Sequence, residues 1–286
     1  MKNIILGTAQ FGLDYGITNK YGRLSFDQII SIANFSFKNG IDTLDTAADY
    51  GASEDIIGEL ENFKIVTKIN FQKEKELNFA KGEVFQRITD SLRRLKRAKI
   101  YAVLLHNSKL LLSDNSDIIV KELEEAKYQG LIEKYGVSVY SPNDTKLIID
   151  KYNIDLIQLP LNVFDQRFLV SGCLDMINKR NIEVHARSIF LQGSLLASKT
   201  PSKLIKWDKK FVEFRRRCEE LKLSQLQYCL AFANQNLFNG SSIVLGVTSM
   251  SELGDIIKAK NIKIIKEDWQ GLAYSDDNLI NPTKWR

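Results

Sequence analysis

Apolar residues in this chain gather in short, nearly unbroken runs rather than alternating with polar ones. Eight runs rich in β-branched residues occur at 3–8 (NIILGT), 41–47 (IDTLDTA), 64–69 (KIVTKI), 100–106 (IYAVLLH), 134–139 (KYGVSV), 155–161 (DLIQLPL), 183–190 (EVHARSIF) and 242–247 (SIVLGV). Strands covered on both faces read this way, and such strands are usually parallel. Helical periodicity fills the intervals, predicting helices at 25–39, 53–60, 82–97, 116–129, 142–152, 171–180, 204–236 with a break near Leu223, and 251–260. Ser25 with Gln28 and Ser249 with Glu252 have the spacing of capping boxes. Ser141 precedes Pro142, with Asp144 at the third helical position, an N-cap followed by proline where proline is favoured.

Strand and helix therefore alternate eight times, and no Pro/Gly/Ser-rich linker or shift in composition divides residues 1–286. The pattern fits one closed (β/α)8 TIM barrel of eight parallel strands better than a doubly wound sheet. Residues 263–286, polar but carrying Trp269, Tyr274 and Trp285, are read as a C-terminal tail near the barrel mouth.

Composition narrows the function classes. With 44% hydrophobic and 26% charged residues, and no run of 18 apolar residues, the chain is expected to be cytoplasmic and not membrane-bound. Net charge is +5 and the sequence pI about 8.9, but the densest basic stretches, RLKRAK (94–99) and RRRC (215–218), sit in predicted helices among acids. Solvated helix faces explain them better than a nucleic-acid surface. Cys173, Cys218 and Cys229 are widely spaced with no CxxC, and His106 and His185 are the only histidines, so neither a disulfide framework nor a metal centre is expected.

In such a barrel, reactive side chains gather at the C-terminal ends of the strands. Asp45 and Tyr50 follow strand 2, Lys68 closes strand 3 and His106 closes strand 4. Adjacent strands lie about 4.8 Å apart, so the four can meet in one pocket. A phenol with its ordinary pKa of about 10 needs help to exchange protons near neutrality; an ammonium beside it is expected to lower that value, and a carboxylate to hold the ammonium in place. His106 would orient a substrate oxygen.

The stretches LDTAADYG (44–51), VTKIN (66–70) and LLHNS (104–108) resemble the aldo-keto reductases, and the likeness runs from GTAQFG (7–12) to NPTKW (281–285). The resemblance implies Tyr50 as general acid, Lys68 and Asp45 as the pair tuning it, and His106 as the group orienting a small-molecule carbonyl. It also implies a nicotinamide cofactor, NADP(H) with NAD(H) left open, held by Gly7, Thr8, Asp45, Ser138, Gln158, Arg187, Ser188, Gln192, Gly246, Val247 and Thr248. Helix-N-terminal amides near Thr248 and Ser249 would meet its phosphates. Departures are visible. The first strand starts almost at once, leaving out the family's usual floor-plugging hairpin. Val139, Arg187, Glu252 and Ile256 replace an asparagine, a ring that stacks on nicotinamide, a cation that neutralises a 2′-phosphate and a second asparagine.

The loops 12–23, 107–116 and 162–167, with the tail, are expected to wall a substrate pocket suited to a polyhydroxylated or carboxylate-bearing carbonyl, such as a sugar derivative. Two other readings of the barrel are a Schiff-base aldolase using Lys68 and a nucleotide-binding regulatory barrel without turnover.

Overall fold

In a computed structural model describing residues 2–19, 22–71, 82–264 and 269–285, eight parallel strands close into a barrel in chain order. They are β1 (Asn3–Gly7), β2 (Thr43–Asp45), β3 (Lys64–Ile69), β4 (Ile100–Leu105), β5 (Ile132–Ser138), β6 (Leu156–Pro160), β7 (Glu183–Arg187) and β8 (Ser242–Gly246). Closure is made by β1 against β8, in register from Asn3–Ser242 to Gly7–Gly246. The helices are α1 (Ala9–Gly12), α2 (Phe26–Lys38), α3 (Ser53–Gly58), α4 (Glu83–Arg94), α5 (Ser116–Tyr128), α6 (Pro142–Lys151), α7 (Arg167–Val170), α8 (Cys173–Lys179), α9 (Asp208–Glu220), α10 (Gln225–Asn236), α11 (Met250–Ala259) and α12 (Asp277–Ile280). Short α1 and α7 fall in stretches read from sequence as loop. Of the three walling loops, 12–23 includes residues 20 and 21, which lie outside the described set, as do 265–268 and 286 of the tail.

Capping follows the sequence at Ser25, whose side chain and that of Gln28 bond reciprocally, and at Ser141, which accepts from the Asp144 amide. The run predicted to continue to Phe190 stops at Arg187, because Ser188 takes a positive φ of 61° that breaks the ladder. The long predicted helix 204–236 begins as a 3-10 turn over Ser202–Trp207 and is cut where Lys222 turns left-handed at φ 55°, two residues before Ser224 caps α10. The basic stretches are ion-paired: Arg94 to Glu54, Lys96 to Glu59, Lys99 to Glu133, and Arg216 and Arg217 to Glu213.

Inside the barrel an apolar layer of Val66, Ala102, Leu104 and Leu156 separates two polar ones. At the strand N-termini, Tyr101 donates to Glu183 at 2.9 Å, Lys134 donates to both Glu183 and Tyr101, and His185 Nε2 lies 2.7 Å from Glu183. These side chains span the floor. Burial alone would raise the Glu183 carboxyl, but His185 and Lys134 outweigh it and bring it to about 2. Burial likewise opposes the Lys134 charge, yet Glu183 and Tyr101 carry it up to about 12. The upper polar layer lies at the strand C-termini. No helix among the described residues is long and apolar enough to cross a membrane.

Candidate active site

Where β2, β3 and β4 end, the four side chains singled out from sequence come together. Lys68 Nζ donates to Asp45 Oδ1 at 2.6 Å and to the Thr46 carbonyl at 2.8 Å, with both charged side chains almost wholly buried. The second Asp45 oxygen accepts from Gln158 Nε2 at 2.6 Å. The Tyr50 ring lies 5.2 Å from Lys68 Nζ and meets the His106 ring edge-on at 6.1 Å between centroids. Two N–H groups of Lys68 are thus engaged by buried acceptors, one of them a carboxylate.

The loop carrying Tyr50 is held by backbone contacts. Amides of Thr46 and Ala48 extend the pairing of β2 with β3 past Asp45, and the Ser53 amide closes a turn on the Tyr50 carbonyl. A β-carbon on Gly12 would stand 1.7 Å from that carbonyl oxygen, and one on Gly51, at φ 55°, 2.7 Å from the Gly12 oxygen. The two glycines let the first and second βα loops touch backbone to backbone, which gives the glycine after Tyr50 its physical reason. Beneath them Ser53 Oγ donates at 3.0–3.1 Å to Thr8, whose hydroxyl donates to the Asp45 carbonyl at 2.9 Å.

One electrostatic expectation is reversed. The Tyr50 phenol is pushed well above its ordinary value, first by burial against the cavity walls and then by the Asp45 carboxylate, with Arg187 pulling the other way. Burial and the Asp45 carboxylate together outweigh the lowering expected from a neighbouring ammonium. Tyr50 is therefore a protonated donor throughout the neutral range.

His106 Nδ1 is buried with no hydrogen-bond partner and lies 3.7 Å from Asp49 Oδ2, beyond hydrogen-bond reach. The His106 ring holds the Asp49 carboxyl below the usual range, burial works against this, and Asn70, donating at 2.9 Å, assists. Asp49, Asn70 and Tyr140 were not picked out from sequence. The signal was there for two of them: Asn70 follows Lys68 by two residues, and Tyr140 follows Ser138 by two, so each continues an inward-facing row past a strand end.

All four residues line a cavity of about 1270 Å³. That exceeds the roughly 300–1,000 Å³ of most small-ligand pockets, leaving room for a dinucleotide and a substrate together. Gly7, Thr8, Ser138, Gln158, Arg187, Ser188, Gln192, Gly246, Val247 and Thr248 all line it. The Thr8 side chain, however, is fully buried and engaged with Asp45 and Ser53, leaving it to position the acid. Gln192 Nε2 donates to the Tyr15 hydroxyl at 3.3 Å, joining the loop after β7 to the loop after β1.

Other expectations are corrected. The loop 162–167 does not wall the cavity: Asn162, Asp165 and Gln166 are buried, Arg167 bridges Asp165 and Asp277, and the Phe164 carbonyl accepts from the Tyr274 amide of the tail. The loop 107–116 folds into a 3-10 turn (Ser108–Leu112) and contributes no lining residue. Leu13 to Asn19 do line the cavity, together with Pro282, Thr283 and Trp285 of the tail. At α11 the capping box is shifted by one residue. Ser249 accepts from the Glu252 amide, but the Glu252 carboxylate takes the Thr248 amide at 2.6 Å and its hydroxyl at 3.0 Å, so that amide is not free for a phosphate.

The closed parallel barrel gathers these ionisable side chains at its strand C-termini, and the sequence places the chain in a known class of enzyme. Residues 3–276 match the Aldo/keto reductase family, and the chain belongs to that family. It is similar to the uncharacterized oxidoreductase YqkF of Bacillus subtilis, 27% identical over 269 residues and 85% of each chain. It is 24% identical to the D-arabinose 1-dehydrogenase of Saccharomyces cerevisiae over 97% of this chain and 88% of that one. The holo form of an aldo-keto reductase from Bacillus halodurans shares the fold, with a TM-score of 0.75 at 20% identity over 96% of this chain and 94% of that one. The protein is an NAD(P)-dependent oxidoreductase.

Proposed function

We propose that the protein reduces an aldehyde or ketone to the alcohol, with Tyr50 as general acid, the Lys68–Asp45 pair fixing the charge beside it and His106 orienting the carbonyl oxygen. The observation that carries this reading is the convergence of these four side chains on one face of a single large cavity. A nicotinamide dinucleotide, when bound, supplies the hydride. The residues present suit such a group. Gln158 has its carbonyl oxygen uncommitted beside Asp45, Ser138 lines the cavity next to it, and the ends of β1 and β8 are glycines that admit close approach.

The chain's own part is proton delivery and placement. Tyr50 hands its hydroxyl proton to the carbonyl oxygen, and the phenolate left behind faces Lys68 and the field of Arg187. His106 lines the cavity with its ring edge-on to that of Tyr50, in place to direct the carbonyl oxygen. Such proton transfer contributes about 10²–10⁴-fold. Tyr50→Phe is expected to lower the turnover number by that factor with the affinity for reduced cofactor unchanged. A variant turning over near the wild-type rate removes the assignment.

At the adenosine end the same reading favours NAD(H), although the family resemblance pointed first to NADP(H). Glu252 and Asp255 line this end of the cavity; Glu252 is tied to Thr248, and Lys258 is mostly exposed and near Asp255. A 2′-phosphate beside two carboxylates is repelled, whereas a ribose hydroxyl can donate to one. Fluorescence titration is expected to show tighter binding of NADH than of NADPH, with Glu252→Arg raising NADPH affinity by about tenfold. Tighter NADPH binding by the wild type overturns this part alone.

A further inference from the structure

Asp49 sits between two anchored residues. The Ala48 amide donates to the Lys68 carbonyl at 2.9 Å and the Tyr50 amide to the Ala47 carbonyl at 3.0 Å, which fixes the backbone on either side of it. Its carboxylate is held too. Asn70 Nδ2 donates to Oδ2 at 2.9 Å, while the Asn70 carbonyl oxygen accepts from the Phe71 amide at 3.0 Å, so the direction of that donor is set. Among the described residues the only group within ion-pair reach of Asp49 is His106 Nδ1, 3.7 Å from the same oxygen, and Oδ1 has no hydrogen-bond partner. Asp45, four positions earlier, is the contrast: it is buried, and both of its oxygens are taken, by Lys68 and Gln158. Asp49 instead lines the cavity with its side chain 38% exposed.

The position of this carboxylate decides what it can accept. Asp49 is the chain neighbour of Tyr50 and stands beside His106, and the rings of those two are 6.1 Å apart between centroids. A carbonyl held between them presents its adjoining carbons to the same side of the mouth. The His106 ring, against burial and with help from Asn70, keeps the Asp49 carboxyl below its usual range, so at neutral pH it is an acceptor only. A carboxylate substituent on the substrate would meet like charge there. An ammonium would find an acceptor but would share the mouth with Arg187, which ends β7, opposite β3 in the ring of eight, and has no carboxylate partner among the described residues. A hydroxyl is neutral and supplies a hydrogen to the oxygen that lacks one.

We propose that Asp49, steadied by Asn70, is a specificity-determining residue that accepts a hydrogen bond from a hydroxyl on a carbon next to the reacting carbonyl, making α-hydroxy aldehydes and ketones the preferred substrates. This rests on the reading of Tyr50 and His106 as the groups that hold that carbonyl. A site built to accept from a hydroxyl discriminates against the analogue lacking it, because its acceptor is then covered without a partner. One such bond corresponds to about tenfold.

The test compares glyceraldehyde with propanal, and dihydroxyacetone with acetone, as ratios of kcat/KM in the wild type, Asp49→Asn and Asp49→Val. The intrinsic reactivity of each carbonyl cancels when these ratios are compared between proteins. The ratio is expected to fall by about tenfold in Asp49→Val, with Asp49→Asn, which keeps one acceptor oxygen and the shape of the side chain, lying between. A ratio that stays constant overturns the subsite, whether both rates hold or both fall together; in the second case Asp49 would serve only to support His106. Should the wild type reduce none of the four, calorimetric titration of the same pairs into protein loaded with reduced cofactor reads the subsite by itself. Tighter binding of the hydroxylated member, lost in Asp49→Val, would then uphold the subsite and count against the proposed reaction, whereas equal binding within both pairs would remove the two together.

Discussion

The two ends of this barrel carry the same four kinds of side chain. At the mouth stand Tyr50, Lys68, Asp45 and His106; on the floor stand Tyr101, Lys134, Glu183 and His185. Each set holds a lysine–carboxylate pair with a tyrosine and a histidine near it. Their wiring differs. On the floor one carboxylate collects everything: Tyr101, Lys134 and His185 all bond to Glu183, and none of the four lines the cavity. At the mouth the carboxylate is bound by Lys68 and Gln158, Tyr50 meets its neighbours through its ring, and all four residues line the cavity. A set of polar groups gathered on one carboxylate away from the cavity is a strut. The same set held apart over a cavity has hydrogen bonds left to give a ligand.

The largest effect that could break this comparison is catalytic. Tyr50→Phe is expected to cost about 10²–10⁴-fold in turnover, whereas Tyr101→Phe should leave turnover intact and lower the melting temperature slightly. Comparable losses of turnover in both would show that the two ends are not functionally distinct. Next in size is Gly12→Ala, whose β-carbon meets the Tyr50 carbonyl oxygen at 1.7 Å. Displacing the Tyr50 loop by even an ångström should cost turnover on the order of a hundredfold, and unchanged kinetics would show that the loop contact does not position the phenol.

The smallest effect sharpens the floor. Glu183→Gln should cost on the order of 1–3 kcal/mol, by removing the negative charge between Lys134 and His185 and turning one of its two acceptor oxygens into a donor. The Glu183 carboxyl sits at about 2 in the fold against an ordinary 4.5. Its contribution is therefore present above about pH 4.5 and disappears as pH falls towards 2. Melting curves of wild type and variant should converge over that acid window; a gap constant with pH would mean that the charge of Glu183 is not what stabilises the floor.

Much of the fold was legible because doubly covered parallel strands leave long apolar runs, and those runs located all eight strands. Their ends were less so. The strand expected through Phe190 stops at Arg187 because Ser188 turns left-handed, a conformation that serine does not announce. The mouth cluster was legible because its members sit at successive strand ends. The floor cluster was not, since Tyr101, Lys134 and Glu183 meet only after barrel closure, though Lys134, Gly136 and Ser138, like Glu183, His185 and Arg187, share the inward face by alternation. The loop 162–167 misled for a similar reason. Asp165 and Arg167 look like surface residues until the fold buries Asp165 and brings Asp277, 110 positions beyond Arg167, to pair with the guanidinium.

The contact between Gly12 and Gly51 bears on how this protein could be re-engineered. Loops on a barrel rim are commonly treated as modules to be exchanged one at a time. Here the first two are mated surfaces, backbone on backbone, with no side chain between them to absorb a misfit. A transplanted first loop carrying any larger residue at position 12 would act on the second, and through it on the hydroxyl of Tyr50. The two loops form one inheritable part, to be grafted together or left alone.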